Sequence, residues 1–341
     1  MFKVMKEVPS PEQLHELFPF PENLRKVKEA RDAELQQIFS GELDKFVLII
    51  GPCSADNEDS VCDYVSRLAK VAEKVKDKIF IIPRIYTGKP RTNGSGYKGM
   101  LHQPDPDSEP DIFAGLSAIR KMQIRAVSES HLTAADEMLY PENYLYFADM
   151  LSYHAIGARS VENQLHRLVS SGVDVPVGMK NPTGGDLSVM INSISAAQND
   201  HVFQMNLSQV ETPGNPLAHA ILRGSVSKHG ENRPNYHYED LVLTHALYEK
   251  SGLKNPAVIV DCNHANSNKL FYEQPRIAKE VLHSRNYDRS LRGLIKGFMI
   301  ESYLEEGSQK IHDHVYGKSI TDACLGWDAS ERLIYDICEA L

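Results

Sequence analysis

The sequence has few of the features that mark secreted, membrane-bound or nucleic-acid-binding proteins. Its five cysteines are odd in number, widely spaced and without a Cys-x-x-Cys pair, which favours a reducing compartment. It has neither a signal peptide nor an apolar run of about 20 residues, so we expect a cytoplasmic protein with no membrane partner. The net charge of -9 and the pI near 5.9 argue against a nucleic-acid partner, which would need an extended basic face. Any cationic cluster must therefore be local.

The chain does contain buried runs that alternate with helices. With 341 residues and 42% apolar side chains, it is long enough for one large α/β domain or two smaller ones. Seven apolar runs predict strands: Phe46–Ile50, Ile79–Arg84, Leu132–Glu137, Ala155–Arg159, Val175–Lys180, Ala257–Cys262 and Ile295–Glu301. An eighth strand is either His201–Asn206 or Leu217–Arg223. This pattern predicts a (β/α)₈ barrel over residues 45–341, with a doubly wound sheet as the alternative. The preceding residues 1–44 are expected to form an arm with one helix near Pro21–Phe39.

Basic side chains recur just beyond the predicted strand ends. Loops at the carboxyl ends of parallel strands carry the chemistry of barrel enzymes, and closing a barrel brings these loops to one mouth. Such cations suit phosphate and carboxylate groups in an otherwise acidic protein. The set comprises Arg84, Lys89, Arg91, Arg159, Lys180 and Arg223.

A second set at the strand ends mixes sulfur, nitrogen and oxygen donors. Cys53, His264, Glu301 and Asp322 suit a divalent transition metal with an open coordination position. Each residue alone has an ordinary structural explanation, such as a buried thiol or a helix cap. Their joint placement at successive strand ends favours a site. The stretch Gly94–Gly99 matches GxGxxG but does not directly follow a strand, so we do not predict nucleotide binding there.

Together these motifs resemble one family. They are Gly51-Pro52-Cys53-Ser54, Lys89-Pro90-Arg91-Thr92, Gly157-Ala158-Arg159-Ser160, Gly178-Met179-Lys180-Asn181, Ile221-Leu222-Arg223-Gly224, His264-Ala265-Asn266-Ser267, Ile300-Glu301-Ser302 and the run from Tyr316 to Asp322. In this order they are similar to the class I, microbial feedback-regulated branch of 3-deoxy-D-arabino-heptulosonate 7-phosphate (DAHP) synthases. The resemblance implies a metal-dependent (β/α)₈ barrel, a transferase that condenses phosphoenolpyruvate with erythrose 4-phosphate in the first step of the shikimate pathway.

The resemblance also implies residue roles. Cys53, His264, Glu301 and Asp322 would hold a divalent ion, which is Mn, Fe, Co or Zn. The substrate-binding residues would be Arg84, Lys89, Pro90, Arg91, Thr92, Glu137, Ala158, Arg159, Lys180, Arg223, His264 and Asp322. Within this set, Arg159, Lys180 and Arg223 would bind the phosphate of phosphoenolpyruvate, and Arg84 and Lys180 its carboxylate. Lys89, Arg91 and Thr92 would bind erythrose 4-phosphate. Lys180, His264 and Lys89 would be catalytic, with Lys180 and His264 as alternative proton carriers.

Three alternative functions could use the same kind of barrel. The alternatives are a 3-deoxy-octulosonate 8-phosphate synthase-like condensation, a metal-dependent aldolase or hydrolase, and a non-catalytic metal- and phosphate-binding barrel.

The branch that the sequence resembles implies a homo-oligomer, dimeric or tetrameric, that is assembled partly through the arm. It also implies an aromatic amino-acid effector. Because 207–216 is short and contains Pro213-Gly214, we expect the hairpin that forms one wall of the effector pocket to be trimmed, and feedback inhibition to be weak or changed in specificity.

Overall fold

The protein is built around a closed parallel barrel. The structure is a computed structural model that describes residues 1–91 and 94–341. Its barrel strands are, in chain order, Phe46–Gly51, Ile79–Pro83, Ala135–Glu137, Tyr153–Ile156, Val177–Lys180, His219–Leu222, Val258–Asp261 and Ile295–Glu301. Numbered in this way, the strands pair in the order 2-1-8-7-6-5-4-3, and every pair is parallel. A parallel bridge between Arg84 and Ala135 connects the second strand to the third and closes the barrel. The predicted (β/α)₈ barrel is confirmed, and the doubly wound alternative is wrong.

The predicted runs match the barrel strands, with one clear offset. The fourth strand ends at Ile156, three residues before the predicted end at Arg159, so Gly157 to Arg159 form the loop that follows it. The open choice for the sixth strand is resolved in favour of the segment containing His219–Leu222, which is buried throughout. The competing segment forms His201–Met205, where buried and exposed side chains alternate because only one face is covered.

Each barrel strand buries both of its faces. In the first strand, Val47 and Ile49 point into the barrel interior, whereas Leu48 and Ile50 pack in the layer between strands and helices. This explains why the strands appear as continuous apolar runs rather than alternating ones. The α-helices are Pro11–Leu17, Glu22–Ser40, Glu58–Val75, Ile112–Ser130, Tyr144–Phe147, Gln164–Ser170, Leu187–Gln198, Tyr238–Ser251, Gln274–Tyr287, Arg289–Leu294 and Trp327–Ala340.

The segment before the first strand covers the amino-terminal end of the barrel. The helix expected near Pro21–Phe39 spans Glu22–Ser40, and a further short helix, Pro11–Leu17, precedes it with Ser10 as its cap. Leu35, Ile38 and Phe39 of the longer helix pack in the interior cluster with residues at strand starts, such as Ala257. The ring of Phe39 lies 4.3 Å from that of His219. The arm is thus continuous with the barrel core.

A hairpin projects between the fifth and sixth barrel strands. Its strands, His201–Met205 and Ser208–Thr212, pair antiparallel over five residues each, and Pro213 follows the second. The expectation that this hairpin is trimmed is therefore wrong: Asn206, with φ of 52°, and Leu207 make a tight turn that leaves room for two complete strands. Within the described ranges, the structure contains no helix that combines the length and apolar character needed to cross a membrane.

Candidate active site at the carboxyl ends of the strands

The predicted site residues converge on one cavity at the carboxyl ends of the barrel strands. The cavity has a volume of about 240 Å³. All six cations predicted from the strand ends line it, so closure of the barrel gathers residues up to 139 positions apart, from Arg84 to Arg223. The other predicted site residues in its wall are Cys53, Pro90, Glu137, Ala158, His264 and Asp322.

Three of the four predicted metal ligands form a tight group. Cys53, Glu301 and Asp322 each place one donor atom within 4.8 Å of the others. The Sγ atom of Cys53 lies 3.6 Å from Oδ2 of Asp322. His264 lies beside this group, with its Nε2 atom 3.8 Å from Oε1 of Glu301. A thiolate, two carboxylates and an imidazole fit a borderline-soft divalent ion such as Mn, Fe, Co or Zn.

The charges around this group favour its ionised carboxylates. Burial by itself would raise the pKa of Glu301, but the positive charges of His264 and Arg84 outweigh it, and the pKa is lowered. Burial raises the pKa of the Cys53 thiol, so a cation is needed to hold that residue as a thiolate. The Nζ atom of Lys89 contacts both Cys53 Sγ at 2.6 Å and Asp322 Oδ2 at 3.3 Å.

Arg84 links the donor group to the cationic wall. It follows the second strand directly, is 2% exposed and donates from Nη2 to Oε1 of Glu301 at 3.0 Å. Its Nη1 donates to the carbonyl of Pro52, and its guanidinium stacks on the ring of Tyr86 at 3.7 Å. The second carboxylate oxygen of Glu301 accepts from Nδ2 of Asn263 at 2.5 Å. Glu301 is thus fixed by residues that follow the second and seventh strands.

The loop after the second strand brings further polar groups to the cavity. Lys89, Pro90 and Arg91 line it, and Nε of Arg91 donates to the carbonyl of Tyr97 at 2.7 Å. Nη1 of Arg159 donates to the carbonyl of Pro90 at 3.2 Å, which connects this loop to the one after the fourth strand. The predicted substrate residue Thr92 lies outside the described residues.

Arg223 presents an unused donor to the cavity. Its backbone N–H donates to Oδ1 of Asn181 at 2.9 Å, which fixes the turn after the sixth strand against the fifth. The side chain is 9% exposed, and its buried Nη1 atom has no hydrogen-bond partner within residues 1–91 and 94–341. Burial lowers the pKa of Arg223, and the nearby charge of Arg159 lowers it further, whereas the charge of Asp261 opposes this shift. An unpaired buried guanidinium in a cavity wall is suited to an anionic ligand.

Two residues that the sequence analysis did not select also belong to the site. Asp261 ends the seventh strand and accepts from Lys180 Nζ at 3.0 Å, while its Oδ2 atom lies 2.8 Å from Nδ1 of His264. The two positive charges outweigh burial and lower the pKa of Asp261. Lys269 lines the cavity and donates to Asp322 at 3.4 Å. Asp261 could have been selected from the sequence, because it is an acidic residue inside the apolar run that begins at Ala257. No local sequence pattern marks Lys269 as a site residue.

The fold and this cavity define a class of protein. A (β/α)₈ barrel whose mouth combines a cationic wall with a sulfur and carboxylate donor group has the composition of an enzyme site for phosphorylated substrates. The model of the DAHP synthetase I family matches residues 23–334, so the chain belongs to this family.

Individual relatives agree with this assignment. The Tyr-sensitive phospho-2-dehydro-3-deoxyheptonate aldolase of Escherichia coli K12 is 35% identical over 97% of this chain and 92% of its own. The phenylalanine-inhibited enzyme of Saccharomyces cerevisiae is 37% identical over 97% of this chain and 90% of its own. The solved structure of phospho-2-dehydro-3-deoxyheptonate aldolase from Francisella tularensis superposes with a TM-score of 0.93 at 30% identity, covering 100% of this chain and 98% of that one.

Proposed function

We propose that this protein is a DAHP synthase, which condenses phosphoenolpyruvate and erythrose 4-phosphate with water to give DAHP and phosphate. This is the first step of aromatic amino-acid biosynthesis through the shikimate pathway. The observation that carries the proposal is the cavity in which the six predicted cations and Lys269 line the same walls as Cys53 and Asp322, in a member of the DAHP synthetase I family. Both substrates carry phosphate, and the cavity supplies cations for each. The five free cysteines support a cytoplasmic location.

The cationic wall is divided between the two substrates. Arg159, Lys180 and Arg223 come from consecutive strand ends and would bind the phosphate of phosphoenolpyruvate, with the backbone near Ala158 beside them. Two nitrogens of Arg84 bind Glu301 and Pro52, and its buried Nε has no hydrogen-bond partner among the described residues, so Arg84 would contribute both charge and a free donor to the carboxylate of phosphoenolpyruvate. Lys180 supplies a free side of its ammonium to the same carboxylate.

Erythrose 4-phosphate would occupy the side of the cavity formed by the loop after the second strand. Lys89 and Arg91 lie there. Thr92, which is outside the described residues, follows them in the sequence. In the reaction, C3 of phosphoenolpyruvate bonds to the aldehyde carbon, water adds at C2 and phosphate leaves. The fixed guanidinium groups stabilise the negative charge of the departing phosphate. The proton delivered to the aldehyde oxygen would come from Lys180 or His264, which both line the cavity.

The donor group fits a divalent cofactor. Cys53, Glu301 and Asp322 would hold the ion, with His264 as the fourth ligand. When bound, the ion would supply Lewis-acid polarisation of the aldehyde oxygen. The chain's own contribution is to fix Glu301 through Arg84 and Asn263 and to balance the charge through Lys89.

The reaction is tested directly by phosphate release. Purified protein is incubated with Mn²⁺, phosphoenolpyruvate and erythrose 4-phosphate, and phosphate and product are quantified. We expect release that requires both substrates and stops in excess chelator. Arabinose 5-phosphate replaces erythrose 4-phosphate as the substrate control, and preferential use of it would contradict the proposal. Full turnover in metal-depleted protein, verified by elemental analysis, would refute the metal assignment.

We also propose that the hairpin cavity takes an aromatic amino-acid effector. A second cavity, of about 440 Å³, is lined by the hairpin, by Ser10 to Glu12 of the arm and by apolar groups including Phe203 and Val169. Relatives are named Tyr-sensitive, Phe-sensitive and phenylalanine-inhibited. The exposed apolar residues Phe2 on the arm and Leu207 on the hairpin support a homo-oligomer in which a second copy covers them.

The effector site is tested with two alanine substitutions on the same hairpin strand, one facing the cavity and one facing away from it. Phe203 faces the cavity, whereas Val202 on the same strand is 62% exposed and points away from it. Inhibition by Phe, Tyr and Trp is measured on the unaltered protein and on Phe203→Ala and Val202→Ala. We expect one amino acid to inhibit and Phe203→Ala alone to weaken that inhibition. Equal inhibition of both variants would place the effector elsewhere.

A further inference from the structure

Asp261 occupies a position behind the active-site wall where two site residues meet. It is the last residue of the seventh barrel strand and is fully buried. Its backbone carbonyl accepts from Nδ2 of Asn266 at 2.8 Å, and its Oδ1 atom accepts from the backbone N–H of Asn263 at 3.0 Å. These contacts fix the backbone of Asp261 and one of its carboxylate oxygens, so the remaining oxygen has a defined direction.

That remaining oxygen serves two different functional groups. Oδ2 of Asp261 accepts a hydrogen bond from Nζ of Lys180 at 3.0 Å and lies 2.8 Å from Nδ1 of His264, a charge contact in which the imidazole is not aligned for a hydrogen bond. Lys180 belongs to the proposed phosphoenolpyruvate wall, and His264 belongs to the proposed metal group. With Nδ1 turned toward Asp261, the Nε2 atom of His264 faces Glu301 at 3.8 Å. One oxygen atom thereby sets the direction of a metal ligand and of a substrate cation.

We propose that Asp261 is a positioning residue that orients both His264 for the metal and Lys180 for phosphoenolpyruvate. The inference rests on the proposed function, because the roles of His264 and Lys180 are taken from it. A carboxylate that accepts from the far nitrogen of a histidine ligand keeps the proton on that nitrogen and leaves the other lone pair for the metal. Here the same carboxylate also restrains the lysine ammonium, so a single change at Asp261 affects two binding steps.

The substitution Asp261→Asn isolates this role. The amide keeps the size of the side chain and an oxygen that can accept from Asn263. Its NH₂ group then faces two other donors, Lys180 and His264, so neither retains its acceptor. A carboxylate at the opposite end of the barrel provides the control: Asp32 is bonded to Lys28 and Ser152, and Asp32→Asn removes a comparable charge without touching the site.

Two binding measurements, neither of them of turnover, test the proposal. Zinc affinity is measured by calorimetry without substrate, and phosphoenolpyruvate affinity is measured in excess chelator without metal. For Asp261→Asn we expect zinc binding to weaken about ten- to hundredfold, the usual loss when the partner of a histidine ligand is removed. We expect phosphoenolpyruvate binding to weaken about tenfold or more. Asp32→Asn should change neither affinity.

The possible results separate the inference from the function it rests on. Loss of both affinities in Asp261→Asn, with both retained in Asp32→Asn, supports the shared role. Loss of only one affinity, or of neither, overturns it while leaving the proposed function intact. An unaltered protein that binds neither zinc nor phosphoenolpyruvate overturns the proposed function first, and with it the inference.

A measurement on the unaltered protein covers the case in which Asp261→Asn does not fold. Imidazole signals of zinc-loaded, ¹⁵N-labelled protein are recorded by NMR, and the signal of His264 is identified by its loss in His264→Ala. A proton on Nδ1 and a metal-bound Nε2 are the expected state. A proton on Nε2 with Nδ1 free would overturn the inference.

Discussion

Arg223 should reduce the stability of the free protein while strengthening its binding of phosphoenolpyruvate. Its Nη1 atom is buried without a partner among residues 1–91 and 94–341, and the cavity beside it carries six more Lys and Arg side chains. Replacing a buried ion pair with apolar side chains of similar volume is commonly neutral or stabilising by about 1–4 kcal/mol, and Nη1 of Arg223 lacks, among the described residues, even the hydrogen bond of such a pair. Arg223→Met should therefore leave the unfolding free energy of the ligand-free protein unchanged or raise it.

The same substitution should weaken substrate binding. A charge-assisted hydrogen bond contributes about 1.5–3 kcal/mol, which corresponds to roughly ten- to 150-fold in the dissociation constant of phosphoenolpyruvate. A ligand that binds only the folded state stabilises it by RT ln(1 + L/Kd), where L is the free ligand concentration. Thermal unfolding with and without phosphoenolpyruvate should consequently show a crossover, with the variant at least as stable without ligand and the unaltered protein more stable with it.

A second buried arginine provides the control for this experiment. Arg285 is 5% exposed but donates to the carbonyl of Ile295 at 3.2 Å, away from the cavity. Arg285→Met should lower stability and leave phosphoenolpyruvate affinity unchanged. The reasoning would be refuted if Arg223→Met destabilised the ligand-free protein as much as Arg285→Met does, or if phosphoenolpyruvate stabilised the Arg223 variant and the unaltered protein equally.

Three further predictions follow from individual side chains. Cys53→Ser should lower bound metal and turnover together by at least about tenfold, as judged by elemental analysis and phosphate release, whereas Cys62→Ser, in a helix outside the site, should lower neither. Lys89→Ala should reduce kcat/KM for erythrose 4-phosphate about ten- to hundredfold in steady-state assays and spare the phosphoenolpyruvate dissociation constant; a change confined to phosphoenolpyruvate would reassign the loop. Burial, helped by the charge of Lys28, lowers the pKa of His154 to about 3, so the stability it contributes is present above its ordinary pKa of about 6.5 and is lost as pH falls toward 3. In denaturant titrations, the free energy of unfolding should fall between pH 7 and pH 4.5 by about 2–3 kcal/mol less in His154→Phe than in the unaltered protein. An equal fall in the two proteins would show that His154 is not its source.

The clustering of site residues was predictable, because parallel strands in a barrel place their carboxyl ends, and the residues that follow them, at the same mouth. Arg84, Lys180 and Glu301 stand at or just after strand ends, so the order of strands alone brings them to one mouth. The sixth strand was harder to identify because both candidate segments are apolar enough to be strands. The difference lies in tertiary covering: His219–Leu222 is enclosed by neighbouring strands, whereas the hairpin strand keeps one face exposed.

The parts that could not be predicted depend on turns and on distant partners. His264 and Lys269 adopt positive φ angles of 48° and 60°, and these turns decide that one faces Asp261 and the other Asp322. No short-range pattern in the sequence specifies such a turn for non-glycine residues. The length of the hairpin is not evident from Pro213-Gly214. Pro213 stands directly after the second hairpin strand, Ser208–Thr212, and therefore ends this strand without interrupting it.

The helix Glu22–Ser40 also has a consequence for how the chain folds as it is synthesised. It leaves the ribosome before any barrel strand, yet Phe39 packs with Ile259 and Met299, which are made more than 200 residues later. Its apolar face must therefore stay uncovered, or be covered by a non-native partner, until nearly the whole chain is available. Contacts of this sequence separation slow folding because a long loop must close before they form. We expect refolding to be limited by docking of this helix, and the unfinished chain to depend on chaperones until the eighth strand is complete.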